Sequence, residues 1–143
     1  MSVLFVCLGN ICRSPTAEAV FRATCPEIPC DSAGTGGWHV GDPPYGAMQE
    51  AASARGIDMS ELRARQFVAG DFGAFDLIIA MDAQNVSDIE AMRPVGSVTP
   101  VKLLAPFAQS GEVAVPDPYY TRDFEGALDL VQAAISGLVA ELV

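Results

Sequence analysis

Cys7 and Arg13 are separated by five residues in the run Val6-Cys7-Leu8-Gly9-Asn10-Ile11-Cys12-Arg13-Ser14-Pro15, close enough to share one turn of chain. An ionised thiol is a strong nucleophile, and a guanidinium is a planar charged fork that can grip two phosphoryl oxygens at once. Side by side they suit attack of sulfur on a phosphate ester, with the arginine stabilising the charge that spreads over the oxygens. Gly9 and Asn10 tolerate the unusual dihedrals that turn successive N–H groups inward. Leu8, Gly9, Asn10, Ile11 and Cys12, continued by Arg13 and Ser14, are therefore the candidate phosphate-binding loop, an anion nest of backbone donors. A helix capped by Ser14, with Pro15 in its first turn, would point its positive end into the same nest. A cysteine in such a place has its pKa lowered from about 8.5 into the range of roughly 3.5–7.5, so Cys7 is expected to be a thiolate at neutral pH.

The elements that must position this turn alternate between strand and helix patterns, the mark of an α/β domain with a parallel sheet. A strand over residues 2–6 delivers Cys7, and a helix over 15–24 places Ala17, Val20 and Phe21 toward a sheet before Pro26 stops it. A second strand is expected over 28–32. It leads through Ala33-Gly34-Thr35-Gly36-Gly37 to Trp38, and a helix follows over 45–55. Ser60 is placed to cap a short helical turn through Arg65. The third strand, 76–80, is a continuous apolar run suited to the middle of a parallel sheet, and Asp82 can cap the helix carrying Asn85 and Ile89. A fourth strand is expected over 97–101. The last helix, 123–142, has Phe124, Leu128, Val131, Ile135, Leu138 and Leu142 at steps of three and four. In such folds ligands bind beyond the carboxyl ends of the strands, where Cys7 falls.

The chain of 143 residues reads as one domain, 1–143, large enough to bury about 70% of its unfolded surface. Half its residues are hydrophobic, yet no apolar run approaches the length of about 20 needed to span a bilayer. Leu4-Phe5-Val6-Cys7 lacks the basic leader, long apolar core and small residue of a lipoprotein signal, so a cytoplasmic protein is expected. Eight Lys and Arg against 18 Asp and Glu give a net charge of −10, which argues against nucleic acid or an anionic membrane as partner. Cys7, Cys12, Cys25 and Cys30 form two C-x4-C pairs, open to reading as a four-thiolate metal site or as two disulfides. A closed metal site would leave Arg13 without a role, and a reducing compartment favours free thiols. No metal and no other cofactor is expected.

The C-x5-R-S run resembles the signature of the low-molecular-weight protein tyrosine phosphatases. The match is extended by Ala64-Arg65-Gln66, by Met81-Asp82 with Asn85, and by Asp117-Pro118-Tyr119-Tyr120, in family order along almost the whole chain. The resemblance implies a three-layer α/β fold with a four-stranded parallel sheet of order 2-1-3-4 and helices on both faces. It implies hydrolysis of protein phosphotyrosine through a phosphocysteine, with catalytic residues Cys7, Arg13 and Asp117, the last as acid and then base. By the same resemblance Asn10 steadies the loop, Ser14 hydrogen-bonds the cysteine sulfur, and Trp38, Tyr119 and Tyr120 form the substrate crevice. The partners are then a phosphotyrosine-containing protein and a cognate tyrosine kinase acting on the tyrosine pair, and the enzyme is a monomer.

Taken alone, Asp117 between two prolines is a turn residue, and His39, the only histidine, reads as a solvent-facing loop residue. Cys12, in the same loop as Cys7, could protect it by a reversible disulfide. Leu62 stands where the family commonly has a histidine bonded to the loop serine, which leaves Asp82 a supporting role. Tyr45 and Thr121-Arg122 are further departures. Rival readings are an arsenate reductase, a protein arginine phosphatase and a phosphocysteine carrier that passes phosphate to sugar. No cysteine follows Cys30 to relay electrons, and Ile11 stands where arginine phosphatases carry threonine.

Overall fold

The computed structural model describes residues 1–143. Four parallel strands, β1 (Val3–Cys7), β2 (Cys30–Gly34), β3 (Leu77–Ala80) and β4 (Val101–Leu103), form one sheet in the order β2-β1-β3-β4. β1 is central and wholly buried, and its side chains alternate between two apolar layers as strand geometry requires. Val3 and Phe5 pack with Ile79 and with helices α1 (Arg13–Thr24), α2 (Gly46–Ser53) and α6 (Phe124–Leu142). Leu4 and Val6 pack on the other face with Ile78, Phe67, Phe72 and Ile89, the last from α4 (Ala83–Glu90). The result is the three-layer α/β arrangement expected, and both layers converge on the end of β1 that carries Cys7. No helix is long and apolar enough to cross a membrane.

Several boundaries differ from the sequence expectation for identifiable reasons. β2 begins at Cys30, not Ile28, because the Ile28 amide closes a turn on Cys25 O and Pro29 has no N–H to give a ladder. β4 likewise begins after Pro100, whose carbonyl accepts the Ile78 amide at 3.0 Å, while the Ser97 amide turns back to Pro94 O. The helical turn expected from Ser60 to Arg65 does not form. Asp58 accepts the Ser60 amide instead, and Arg65 and Phe67 bracket Gly34, with Gly34 N–H donating to Arg65 O and Phe67 N–H to Gly34 O. That segment serves as a strand-like edge beside the loop, which a helix could not do. A short helix α3 (Asp71–Ala74) follows, and another, α5 (Pro118–Thr121), precedes α6.

α6 lies so close to the turn Ala105–Ala108 that a Cβ on Gly137 would collide with the Phe107 carbonyl. Backbone cannot yield as a flexible side chain can, so Gly137→Ala is expected to lose about 1–3 kcal/mol despite alanine's better helix propensity. Thermal unfolding of the variant checks this, and an unchanged or raised midpoint would refute the close approach.

Candidate active site

The loop after β1 turns its carbonyls outward and its amides in. Leu8 O accepts from Gly36 N–H at 2.9 Å, Ile11 O from Tyr45 N–H at 2.8 Å, and Cys12 O from the Thr16 hydroxyl at 2.6 Å. The amides of Leu8, Gly9, Ile11, Cys12, Arg13 and Ser14 meet no acceptor within the protein, which is the donor arrangement of an anion nest at a helix N-terminus. Asn10 enables the turn with φ +57°, a value its short polar side chain tolerates, and its amide donates to Cys7 Sγ at 3.2 Å. Gly9 does not take a positive φ. Its missing side chain leaves room for His39, whose ring a Cβ would meet at 3.2 Å. Gly34 is needed for a similar reason: a Cβ there would press on Leu8 O at 2.7 Å.

Ser14 is not a helix cap. α1 starts one residue earlier, at Arg13, with no side-chain cap, and the fully buried Ser14 hydroxyl turns inward to Cys7 Sγ at 3.0 Å. Asn10 Nδ2 donates to Ser14 Oγ at 2.7 Å and to Ser32 Oγ at 2.9 Å, while Asn10 Oδ1 accepts the Arg65 amide, which fixes the orientation of the carboxamide. The Ser14 proton can then reach the sulfur at 3.0 Å or Ala33 O at 3.4 Å. Ser32 in turn donates to Glu18 Oε1 at 2.7 Å, and Arg22 donates to Glu18 Oε2 at 2.6 Å. Burial pushes the Glu18 carboxyl above its ordinary range, opposed by the bonds from Ser32 and Arg22. This chain from Arg22 to Cys7 was not apparent from motifs. Its one local signal is the spacing of Ser14, Glu18 and Arg22, four residues apart on one helix face. Leu62 stays outside it, packed against the apolar core.

Arg13 is buried to 4% exposure, yet its charge is secured. Burial works against the guanidinium, but Cys7, Asp82 and Asp117 outweigh it and raise its pKa. Nη1 donates to Asp82 Oδ2 at 2.7 Å and to Val115 O at 3.0 Å, and Nη2 lies 3.5 Å from Asp117 Oδ2. Asp82 therefore anchors the arginine directly while its other oxygen caps α4 through the Asn85 amide. Asp117 Oδ1 accepts the Tyr119 amide at 3.1 Å, so the turn role and a place beside Arg13 coexist.

A cavity of about 250 Å³ opens over the loop from Cys7 to Arg13 and is walled by Trp38, His39, Asp117, Tyr119 and Tyr120. Its two outer aromatics, Trp38 and Tyr120, are each 72% exposed, so the rim is apolar and open while the floor is polar and buried. His39 is a correction: it lines this cavity, with Nδ1 3.2 Å from Asp42 Oδ2, and does not simply face solvent. Cys12 is buried beside Cys7 with its pKa pushed up to about 12, first by burial and then by the charges of Asp117 and Cys7. No group of three or more His, Cys, Asp or Glu side chains is placed to hold a metal, which removes the four-thiolate reading of the cysteines.

Residues 2–143 match the family described as low molecular weight phosphotyrosine protein phosphatase. The chain belongs to this family. Among relatives of this phosphatase, the low molecular weight protein-tyrosine-phosphatase YfkJ of Bacillus subtilis (strain 168) is 43% identical, covering 99% of this chain and 96% of the relative. The crystal structure of YfkJ superposes with a TM-score of 0.94, covering 99% of this chain and 94% of that one. A protein tyrosine phosphatase from Entamoeba histolytica, 34% identical, gives 0.92 over 99% of this chain and 96% of that one. Vibrio vulnificus Wzb, solved in complex with benzylphosphonate, gives 0.87 at 27% identity, covering 98% and 97%.

Proposed function

We propose that this phosphatase hydrolyses phosphotyrosine in proteins through a phosphocysteine on Cys7. The observation that carries the reading is the ring of unpaired loop amides with the Cys7 sulfur at its base and Arg13 and Asp117 in the same cavity. In the first step Cys7 Sγ attacks phosphorus in line. The S–P bond forms, the P–O bond to the aryl oxygen breaks, and Asp117 gives that oxygen its proton. In the second step water attacks phosphorus, Asp117 takes the water's proton, and sulfur leaves as a thiolate stabilised by Ser14 and the Asn10 amide. Arg13 and the loop donors stabilise the equatorial oxygens in both. A polar floor beneath the walls Trp38, Tyr119 and Tyr120 suits an aryl ester, long enough to pass the aromatic rim before its phosphate reaches the amides.

Metal-free hydrolysis of phosphotyrosine, phosphoserine and phosphoarginine peptides, assayed side by side, tests the substrate class. Phosphotyrosine is expected to lead by a wide margin, and preference for either other peptide would overturn the reading. Asp117→Asn is expected to lower kcat/KM for phenyl phosphate by about 10²–10⁴-fold, the usual worth of a general acid, with little change in competitive inhibition by phosphate. Undiminished turnover of that poor leaving group would remove Asp117 from the chemistry.

In the same reading the protein acts as a cytoplasmic monomer, where a nucleophilic thiol stays reduced. Tyr119 and Tyr120, both exposed, are the residues a cognate tyrosine kinase would modify. Cys12, a free and buried cysteine lining the same cavity as Cys7, is the partner for a protective disulfide with Cys7. After prolonged peroxide treatment, a dithiol should then restore the parent enzyme, whereas Cys12→Ser, with no thiol to trap the Cys7 sulfenic acid, passes on to irreversible sulfinic acid and recovers less. Equal recovery of both proteins excludes the disulfide.

A further inference from the structure

We infer that Arg122, with Tyr45 and Phe124, forms a clamp that positions the Asp117 turn and so makes Arg122 a positioning residue for proton transfer. The inference deepens the proposed reaction and rests on Asp117 being its acid. The turn that bears Asp117 is a single short helix, α5, and two anchors hold it. Upstream, buried Val115 donates its amide to Met81 O at 2.9 Å and accepts from Arg13. Downstream the polypeptide lies on the surface, where Thr121 and Asp123 make only local turn and cap bonds and the clamp supplies the contacts that reach across to the entry of α2.

Arg122 ends α5 with φ +64°, in the left-handed region that favours glycine. A large charged residue at such a position has a backbone cost to offset, and its side chain makes four contacts. Its guanidinium carbon lies 5.2 Å from the Tyr45 ring centre and 5.1 Å from that of Phe124, within cation–π range of both. Nη1 donates to the Tyr45 hydroxyl at 3.0 Å and to Tyr119 O at 3.4 Å. Tyr45 stacks on Phe124 at 6.0 Å and meets Tyr119 edge-on at 5.3 Å, and Tyr119 meets Tyr120 edge-on at 5.3 Å. The array thus runs from the first turn of α6, past the entry to α2, to the cavity wall. Tyr119 is also the residue whose amide holds the Asp117 carboxylate. Tyr45 is tied to the cradle through its own amide, which donates to Ile11 O, so the clamp refers the acid to the loop that holds the phosphorus.

The experiment compares Arg122→Gly, Tyr45→Leu and their double variant with the parent and with Asp117→Asn, measuring kcat/KM for aryl phosphates whose leaving groups run from phenol to 2,4-dinitrophenol. Glycine suits the φ at 122, so that variant should fold, and unfolding midpoints are recorded for all. The clamp predicts that each single variant loses up to about 10²-fold on phenyl phosphate, the scale of a displaced reacting group, and little on the dinitrophenyl ester. The double variant should lose no more than either single one. Equal losses on every ester would indicate general damage to the cavity and overturn the inference, as would a leaving-group response in Arg122→Gly without one in Tyr45→Leu, which would point to charge alone. If Asp117→Asn steepens the leaving-group dependence and neither clamp variant does, the clamp fails and the acid stands. If Asp117→Asn itself gives no such response, the acid assignment falls and the clamp with it.

Discussion

Cys7→Ser is expected to abolish turnover of every phosphate ester, by at least about 10⁴-fold and toward the scale of lost-nucleophile variants in other covalent enzymes. Cys7 is 3% exposed, and the Asn10 amide and the Ser14 hydroxyl converge on its sulfur. A serine hydroxyl at neutral pH remains protonated, and no base stands next to position 7 to take its proton. The cradle itself should survive, because its free amides belong to neighbouring residues and its carbonyls are anchored to Gly36, Tyr45 and Thr16. The variant is therefore predicted to bind phosphotyrosine peptides within about 10-fold of the parent, since binding and chemistry draw on different contacts, and to yield no phosphoenzyme on acid quench. Residual activity within tenfold of the parent would mean that phosphorus is attacked by something other than this sulfur.

Arg13→Lys is expected to act on both rate and stability. Lysine keeps the charge but has one ammonium in place of a fork. It cannot bond Asp82 and Val115 O and still present two donors to phosphoryl oxygens. Loss of such a transition-state donor costs about 10²–10³ in kcat, and kcat should fall more than KM rises. The stability loss is expected at about 1–3 kcal/mol, the cost of leaving a buried acceptor such as Val115 O without its donor, read by denaturant unfolding. Because neighbouring anions hold the guanidinium pKa above its already high ordinary value, the arginine stays charged across the working range, and its contribution to stability is not lost on raising the pH to 9. A variant with parental kcat would show that the fork geometry is dispensable.

The parts of the molecule legible in the sequence share one property: they are local. The cradle is contiguous, so residue types and spacing from Cys7 to Arg13 announce a turn with inward amides, although Gly36, Tyr45 and Arg65 hold it in place. The buried strands β1 and β3 are continuous apolar runs, and the long amphipathic helix α6 is periodic over its whole length. Strand ends were less legible where prolines at 29 and 100 delay the ladder, because pairing depends on which partner strand supplies the carbonyls. The segment expected to coil from Ser60 to Arg65 shows the same effect more strongly: Gly34 draws its end, Arg65 with Gln66 and Phe67, into extended pairing that no local propensity could announce.

From the sequence alone came the proposed nucleophile, the arginine, the nest between them and the parallel α/β frame that puts them at a strand end. Three-dimensional folding alone decided that Ser14 does not cap its helix, and that Arg13 and Asp82 pair across 69 positions. It also decided that Ser32 and Glu18 back the loop asparagine, and that His39 closes the cavity over Gly9. The physical reason is that a short run of backbone can organise its own donors for an anion, whereas the direction of a buried polar side chain is set by whichever distant partner keeps it from being left unpaired.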